Sequence, residues 1–116
     1  MNTIKAGDIV TYINDKRGFN LFIVIHVYSN YTDESLNNIY IQNLKTRGKF
    51  NTVVSKVRRY WLQINDVILL PEFKYYLTVK HFAVIDNTWY VGISFNNKSK
   101  NILLSDVISE CTLVPD

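Results

Sequence analysis

Apolar and polar residues alternate along much of the chain with a period of two. Ile9, Thr11 and Ile13 fall on one side of a short segment, and Val10 and Tyr12 on the other. Successive side chains of a β-strand point to opposite faces, so this pattern predicts strands. From Leu21 to Tyr28 both sides are apolar, with Leu21, Ile23, Ile25 and Val27 opposite Phe22, Val24, His26 and Tyr28. That predicts a central strand. A third strand is predicted over Asn38 to Leu44, with Ile39 and Ile41 inward, and a fourth over Thr52 to Trp61. In the fourth, Lys56 and Arg58 share one face while Val53 and Val57 share the other. Gly48 marks the turn between the two.

Asp66 to Leu70 is a short apolar run stopped by Pro71. Tyr76 to Ile85 and Thr88 to Phe95 predict a hairpin around the turn-prone pair Asp86-Asn87. Ile102 to Leu104 and Val107 to Leu113 close the chain. The latter reads either as a short strand or as one or two helical turns, with Ser105-Asp106 suited to capping a helix. Only two alanines occur, Ala6 and Ala83, which argues against helices. Closely spaced short strands predict a small barrel or sandwich. With 116 residues, the chain is expected to form a single domain over 1–116. No internal repeat, linker or low-complexity segment is evident.

Composition narrows the class. Apolar residues make up 47% of the chain and charged residues 20%, which predicts a packed core rather than disorder. No apolar run approaches the roughly 20 residues of a membrane helix. The polar start, MNTIKAGD, lacks the apolar stretch of a secretory signal, so a soluble cytoplasmic protein is expected. Cys111 is the lone cysteine, which excludes an internal disulfide and a thiolate zinc site.

Charge changes the picture further. The formal net charge is +3, yet Lys45, Arg47, Lys49, Lys56, Arg58 and Arg59 form one block, and no acid lies between Glu34 and Asp66. A cationic row ending in an aromatic, here Tyr60, can track a phosphate backbone and stack a base. Lys16 and Arg17, in the first loop, are candidates to join it. The ordinary alternative is a solvated sheet face with lysines guarding an edge. An acidic protein partner would also suit such a face.

Familiar catalytic patterns are missing. There is no P-loop, no HExxH, no GxSxG and no dinucleotide fingerprint. His26 and His81 sit singly in apolar strands, where core or rim packing is the usual role. No cofactor or metal is called for. Arginine and hydroxyls remain, which suffice for phosphate-directed chemistry. RNA brings its own nucleophile, the 2′-OH, and a cationic site then positions the phosphate and stabilises developing charge.

The order of several short blocks carries a resemblance. KAGDIV (5–10) places a basic residue before Gly-Asp and two hydrophobics. The polar loop NDKRGFN (14–20), the apolar LFIVIHV (21–27), IYIQNLKTRGKF (39–50) and LQINDVILLPEF (62–73) follow. In this order, over residues 5–73, they resemble the MazF/PemK family of toxin endoribonucleases. The resemblance implies a mostly β fold, an SH3-like barrel of about 6–8 short antiparallel strands. It also implies a homodimer with RNA in a groove across the interface, and metal-independent cleavage.

The family's loop arginine stands directly before a proline. This chain has Asn20-Leu21 there, and the nearest arginine is Arg17. The strand-end threonine aligns with Lys45, one residue before Thr46. The resemblance thus implies Arg17 and Thr46 as a displaced catalytic pair. Lys16, Lys45, Arg47, Lys49, Lys56, Arg58, Arg59 and Tyr60 would hold the nucleic acid. Pro71-Glu72-Phe73 replaces the family's Gln-hydrophobic-Arg, and the C-terminal part reads as a hairpin rather than a helical tail.

Three readings follow. The first is a toxin endoribonuclease or a degenerate relative, with RNA as substrate and an acidic antitoxin as partner. The second is a non-catalytic SH3-like module, as in a phage or mobile-element inhibitor, that binds nucleic acid or an acidic host protein through the basic hairpin. The third is an oligomerising β-protein, for which Tyr60, Trp61, Tyr75, Tyr76, Trp89 and Tyr90 supply interface-type aromatics.

Overall fold

The computed structural model describes residues 3–15 and 20–115. The chain is mostly β, with two antiparallel five-stranded sheets and one short helix near the C-terminus. It divides into two compact units, residues 1–62 and 63–116. Ten strands are present among the described residues, more than the roughly 6–8 expected.

The first unit holds β1 (Ile9–Tyr12), β2 (Phe22–Tyr28), β3 (Asn38–Asn43), β4 (Lys49–Val53) and β5 (Val57–Arg59). A 3-10 turn, Glu34–Leu36, precedes β3, and Asp33 caps it by accepting the Ser35 N–H at 3.0 Å. The sheet order is β4-β3-β2-β1-β5, so the fifth strand returns to pair with the first. Ile4, Val10, Phe22, Val24, Ile39, Ile41 and Val57 form its core, with Tyr12, Val27 and Val54 packed against them. Tyr12, Phe22 and Phe50 meet edge to face in series, with centroids 5.3 and 5.7 Å apart.

The expected fourth strand over Thr52 to Trp61 is two strands. A 3-10 turn, Val54–Lys56, breaks it, and β5 leaves β3 and β4 to pair with β1. Val53 and Val57 are therefore not on one continuous face. Hydrogen bonding links β5 to β1 at one edge of the order and β4 to β3 at the other. Among the described residues it does not close the sheet into a barrel.

The second unit repeats this plan. It comprises β6 (Val67–Leu69), β7 (Leu77–Ile85), β8 (Thr88–Phe95), β9 (Lys98–Leu103), α1 (Leu104–Glu110) and β10 (Thr112–Leu113). Its order is β10-β6-β7-β8-β9, again a four-stranded meander whose last strand pairs with the first. Helix α1 stands where the first unit has its Val54–Lys56 turn. It turns Leu104 and Val107 inward against β8. Ser105 and Asp106 lie inside this helix, and the capping position is Leu103, which makes no side-chain cap.

The likeness extends to single hydrogen bonds. Asp8 accepts the Lys5 N–H at 3.0 Å, and Asp66 accepts the Gln63 N–H at 2.8 Å. The residue before each aspartate has a left-handed backbone, Gly7 at φ 94° and Asn65 at φ 75°. Its N–H donates to Val24 or Val79, whose own N–H donates back to Asp8 or Asp66. Tyr60 N–H reaches Ile9 C=O at 2.8 Å, as Val114 N–H reaches Val67 C=O at 2.9 Å. The chain is thus a structural repeat, which the sequence reading does not find.

Each unit also carries one β-bulge at the same place. The β2–β3 register shifts between Val24 and His26, and the β7–β8 register shifts between Val79 and His81. A bulge adds one unpaired residue and reverses the facing of all that follow. Phe22 and Val24 are inward, Ile25 is the extra residue, and the inward phase resumes at Val27. In β7 the buried side chains are Leu77 and Val79, then Phe82. His26 and His81 consequently leave the apolar faces predicted for them and are exposed.

Candidate nucleic-acid interface

The β3–β4 connection presents the densest cations. Asn43 organises it, its side-chain oxygen accepting the N–H groups of Lys45 at 2.8 Å and Thr46 at 3.0 Å. Asparagine makes such local turns readily because its carboxamide reaches the backbone two residues ahead. Arg47 N–H donates to Asn43 C=O at 2.8 Å, and Asn43 N–H donates to Gly48 C=O at 2.8 Å. The Gln42 side-chain amide donates to Arg47 C=O at 3.2 Å. Thr46 Oγ1 accepts the Gly48 N–H at 3.3 Å. The left-handed position of the turn is Arg47, at φ 68°, rather than Gly48. The backbone is thereby fixed while Lys45, Thr46, Arg47 and Lys49 all remain exposed.

The rest of the basic block is dispersed. Lys56 ends the 3-10 turn and is exposed. Arg58 and Arg59 lie on β5, at the opposite end of the strand order from β4. Arg58 is exposed opposite Thr11. Arg59 pairs with the buried Asp8, Nε to carboxylate 3.4 Å, so its charge serves the fold. Lys45, Arg47, Lys49, Lys56 and Arg58 have no acidic partner within salt-bridge distance among the described residues.

Tyr60 does not offer a stacking face. It is only 5% exposed, and burial pushes its phenol pKa up, against the opposing pulls of a hydrogen bond with Trp61 and the charge of Arg58. Trp61, 39% exposed and tilted against Tyr60 at 5.8 Å, is the accessible ring at the end of the basic segment. Lys16 and Arg17 lie outside the described residues, so the Arg17–Thr46 pair has no geometry here.

The charge is divided between the units. Residues 1–62 hold nine of the thirteen Lys and Arg and four of the ten acids, and residues 63–116 hold the remaining four and six. The first unit is therefore net positive and the second net negative. Among the described residues no group of three His, Cys, Asp or Glu side chains could hold a metal ion. No helix among them is long and apolar enough to cross a membrane.

The second unit carries a surface that the charge-based reading misses. An open groove of about 480 Å³ is lined by Tyr76, Phe95, Asn97, Lys98, Thr78 and Ser94, among others, with no carboxylate among the described residues. Tyr75 stacks on Phe95, with centroids 6.1 Å apart and planes 19° from parallel. Phe73 meets Phe95 edge to face at 5.4 Å, and the Lys100 ammonium lies 5.6 Å from the Phe73 centroid. The sequence signal was present in Tyr75-Tyr76 and in Phe95-Asn96-Asn97-Lys98, but only the β7–β8–β9 pairing joins them.

No family model, curated protein or solved structure matches the chain.

Proposed function

We propose that the chain binds nucleic acid through the β3–β4 hairpin of its first unit, without a cleavage step. The carrying observation is the hairpin itself. Lys45, Arg47 and Lys49 are exposed, without an acidic partner among the described residues, on a turn held by six hydrogen bonds between Gln42 and Gly48. A pre-fixed tip loses little backbone freedom when it meets a ligand. Cations with no acidic partner among the described residues are available to phosphates rather than neutralising the protein's own acids. The concentration of positive charge in the first unit supports the same reading, since it steers a polyanion to that unit.

The test is anisotropy of a labelled RNA and a labelled DNA strand titrated with the protein at several salt concentrations, with parallel gels in EDTA. Binding should weaken steeply as salt rises, by a slope of about 0.7–0.9 per phosphate held. The RNA should stay intact. Discrete fragments that disappear in Thr46→Ala would replace this reading with an endoribonuclease of the MazF/PemK type. Absence of binding to either strand at low salt would overturn it and direct attention to an acidic protein partner.

A further inference from the structure

We infer that the second unit holds a site for single-stranded nucleic acid, the open groove between the start of β7 and the β8–β9 hairpin. The inference rests on the nucleic-acid reading above and assigns a separate role to a separate surface.

The groove has the chemistry an unpaired nucleotide needs. Tyr76 is 66% exposed and Tyr75 52%, high values for large aromatic side chains. Tyr75 does not line the groove itself but stacks nearly parallel on Phe95, which does, so a base laid on exposed Tyr75 would extend that stack at the groove's edge. Asn97, Thr78 and Ser94 supply amide and hydroxyl groups for base or sugar edges, and Lys98 supplies a cation for phosphate. Among the described residues no carboxylate lines this groove to repel a phosphate. Three of the second unit's six acids, Glu72, Asp106 and Glu110, line a different cavity beside Phe73.

The position is the second observation. Asn96 and Asn97, at φ 49° and 63°, form the tight turn joining the third and fourth strands of their sheet. Lys45, Thr46 and Arg47 occupy that connection in the first sheet. The two units thus place ligand-type chemistry at corresponding hairpins, cations on one and Phe95 with amides on the other, where Tyr75 from the start of β7 stacks on Phe95. A duplex keeps its bases stacked inside and cannot use the aromatic hairpin. A single strand can.

The experiment uses the full chain with labelled oligo(dT), oligo(rU) and a duplex of equal length, at fixed salt. Tyr75→Ala and Tyr76→Ala should each weaken single-strand binding about fivefold to a hundredfold, the worth of one stacked base. The salt slope should stay unchanged, and Tyr76→Phe should bind as the parent does. Both tyrosines are exposed, and circular dichroism checks that each variant is folded. Unaltered single-strand affinity in both alanine variants, with the parent binding duplex equally well, would overturn the groove while leaving the basic hairpin in place. Failure of the parent to bind any of the three would overturn the hairpin reading and this one together.

Discussion

Gly92 sits in the middle of β8 with its backbone opposite His81. A Cβ added there would overlap the His81 ring. The β7 bulge puts His81 in that place by turning it out of the face of Leu77 and Val79. Gly92→Ala must therefore evict the imidazole or bend the strand, at a cost of about 1–3 kcal/mol for an overfilled site. In a His81→Ala background the obstacle is gone. Alanine is then better than glycine in a strand by about 0.5–1 kcal/mol, because the unfolded chain has less freedom to lose. The sign of the Gly92→Ala effect should thus reverse between backgrounds, and the coupling energy should reach roughly 1.5–4 kcal/mol. Urea unfolding of the four proteins, followed by circular dichroism, measures it directly. The denaturant slopes should agree, so that midpoints report stability. An equal cost for Gly92→Ala in both backgrounds would refute the bulge-and-glycine account, since the penalty would then not come from the His81 ring.

Further outcomes follow from the same geometry. Changing Lys45, Arg47 and Lys49 together to Gln should reduce the slope of log affinity against log salt by about 0.7–0.9 per lost phosphate contact, with stability nearly constant. Arg47→Gly separates charge from fold. It relieves a left-handed arginine at φ 68°, so thermal stability should hold or rise by up to about 1 kcal/mol while nucleic-acid affinity falls. Tyr60 tests the alkaline limb. Burial raises its pKa, so the folded state keeps a proton that the unfolded state releases, and stability declines as pH climbs from the ordinary tyrosine range through the raised value. Tyr60→Phe should flatten that decline, and identical alkaline slopes for both proteins would show that the phenol ionises no differently when folded.

Much of the strand content was legible because its causes are local. Alternation at Ile9 to Tyr12, the β-rich run at Phe22 to Tyr28 and the Asp86-Asn87 turn each follow from neighbours along the chain. The basic hairpin was equally legible, since Lys45, Arg47 and Lys49 surround a turn that Gly48 announces, although the part Asn43 plays in it was not. Local reasoning failed where pairing partners decide the outcome. One extra residue at Ile25 and one at Lys80 reverse the phase of each strand beyond it. No period-two pattern reveals an insertion that only the opposite strand defines. The same limit explains Tyr60. Its sequence position suggests a cationic row, but the break at Val54–Lys56 sends β5 to β1 and takes the ring into the interior.

By itself, the sequence determined a mostly β chain with one concentrated block of positive charge. Strand propensity and charge are properties of residues and their near neighbours. The tertiary structure alone decided that there are two sheets of the same order, each begun by an aspartate that ties its first strand to a valine on its second. It also decided which cations are free, because Arg59 is claimed by Asp8 from far along the chain. The repeat is hidden in the letters because backbone hydrogen bonds carry it. They require only Asp8 and Asp66 after a residue that tolerates positive φ, and buried apolar side chains of almost any identity elsewhere.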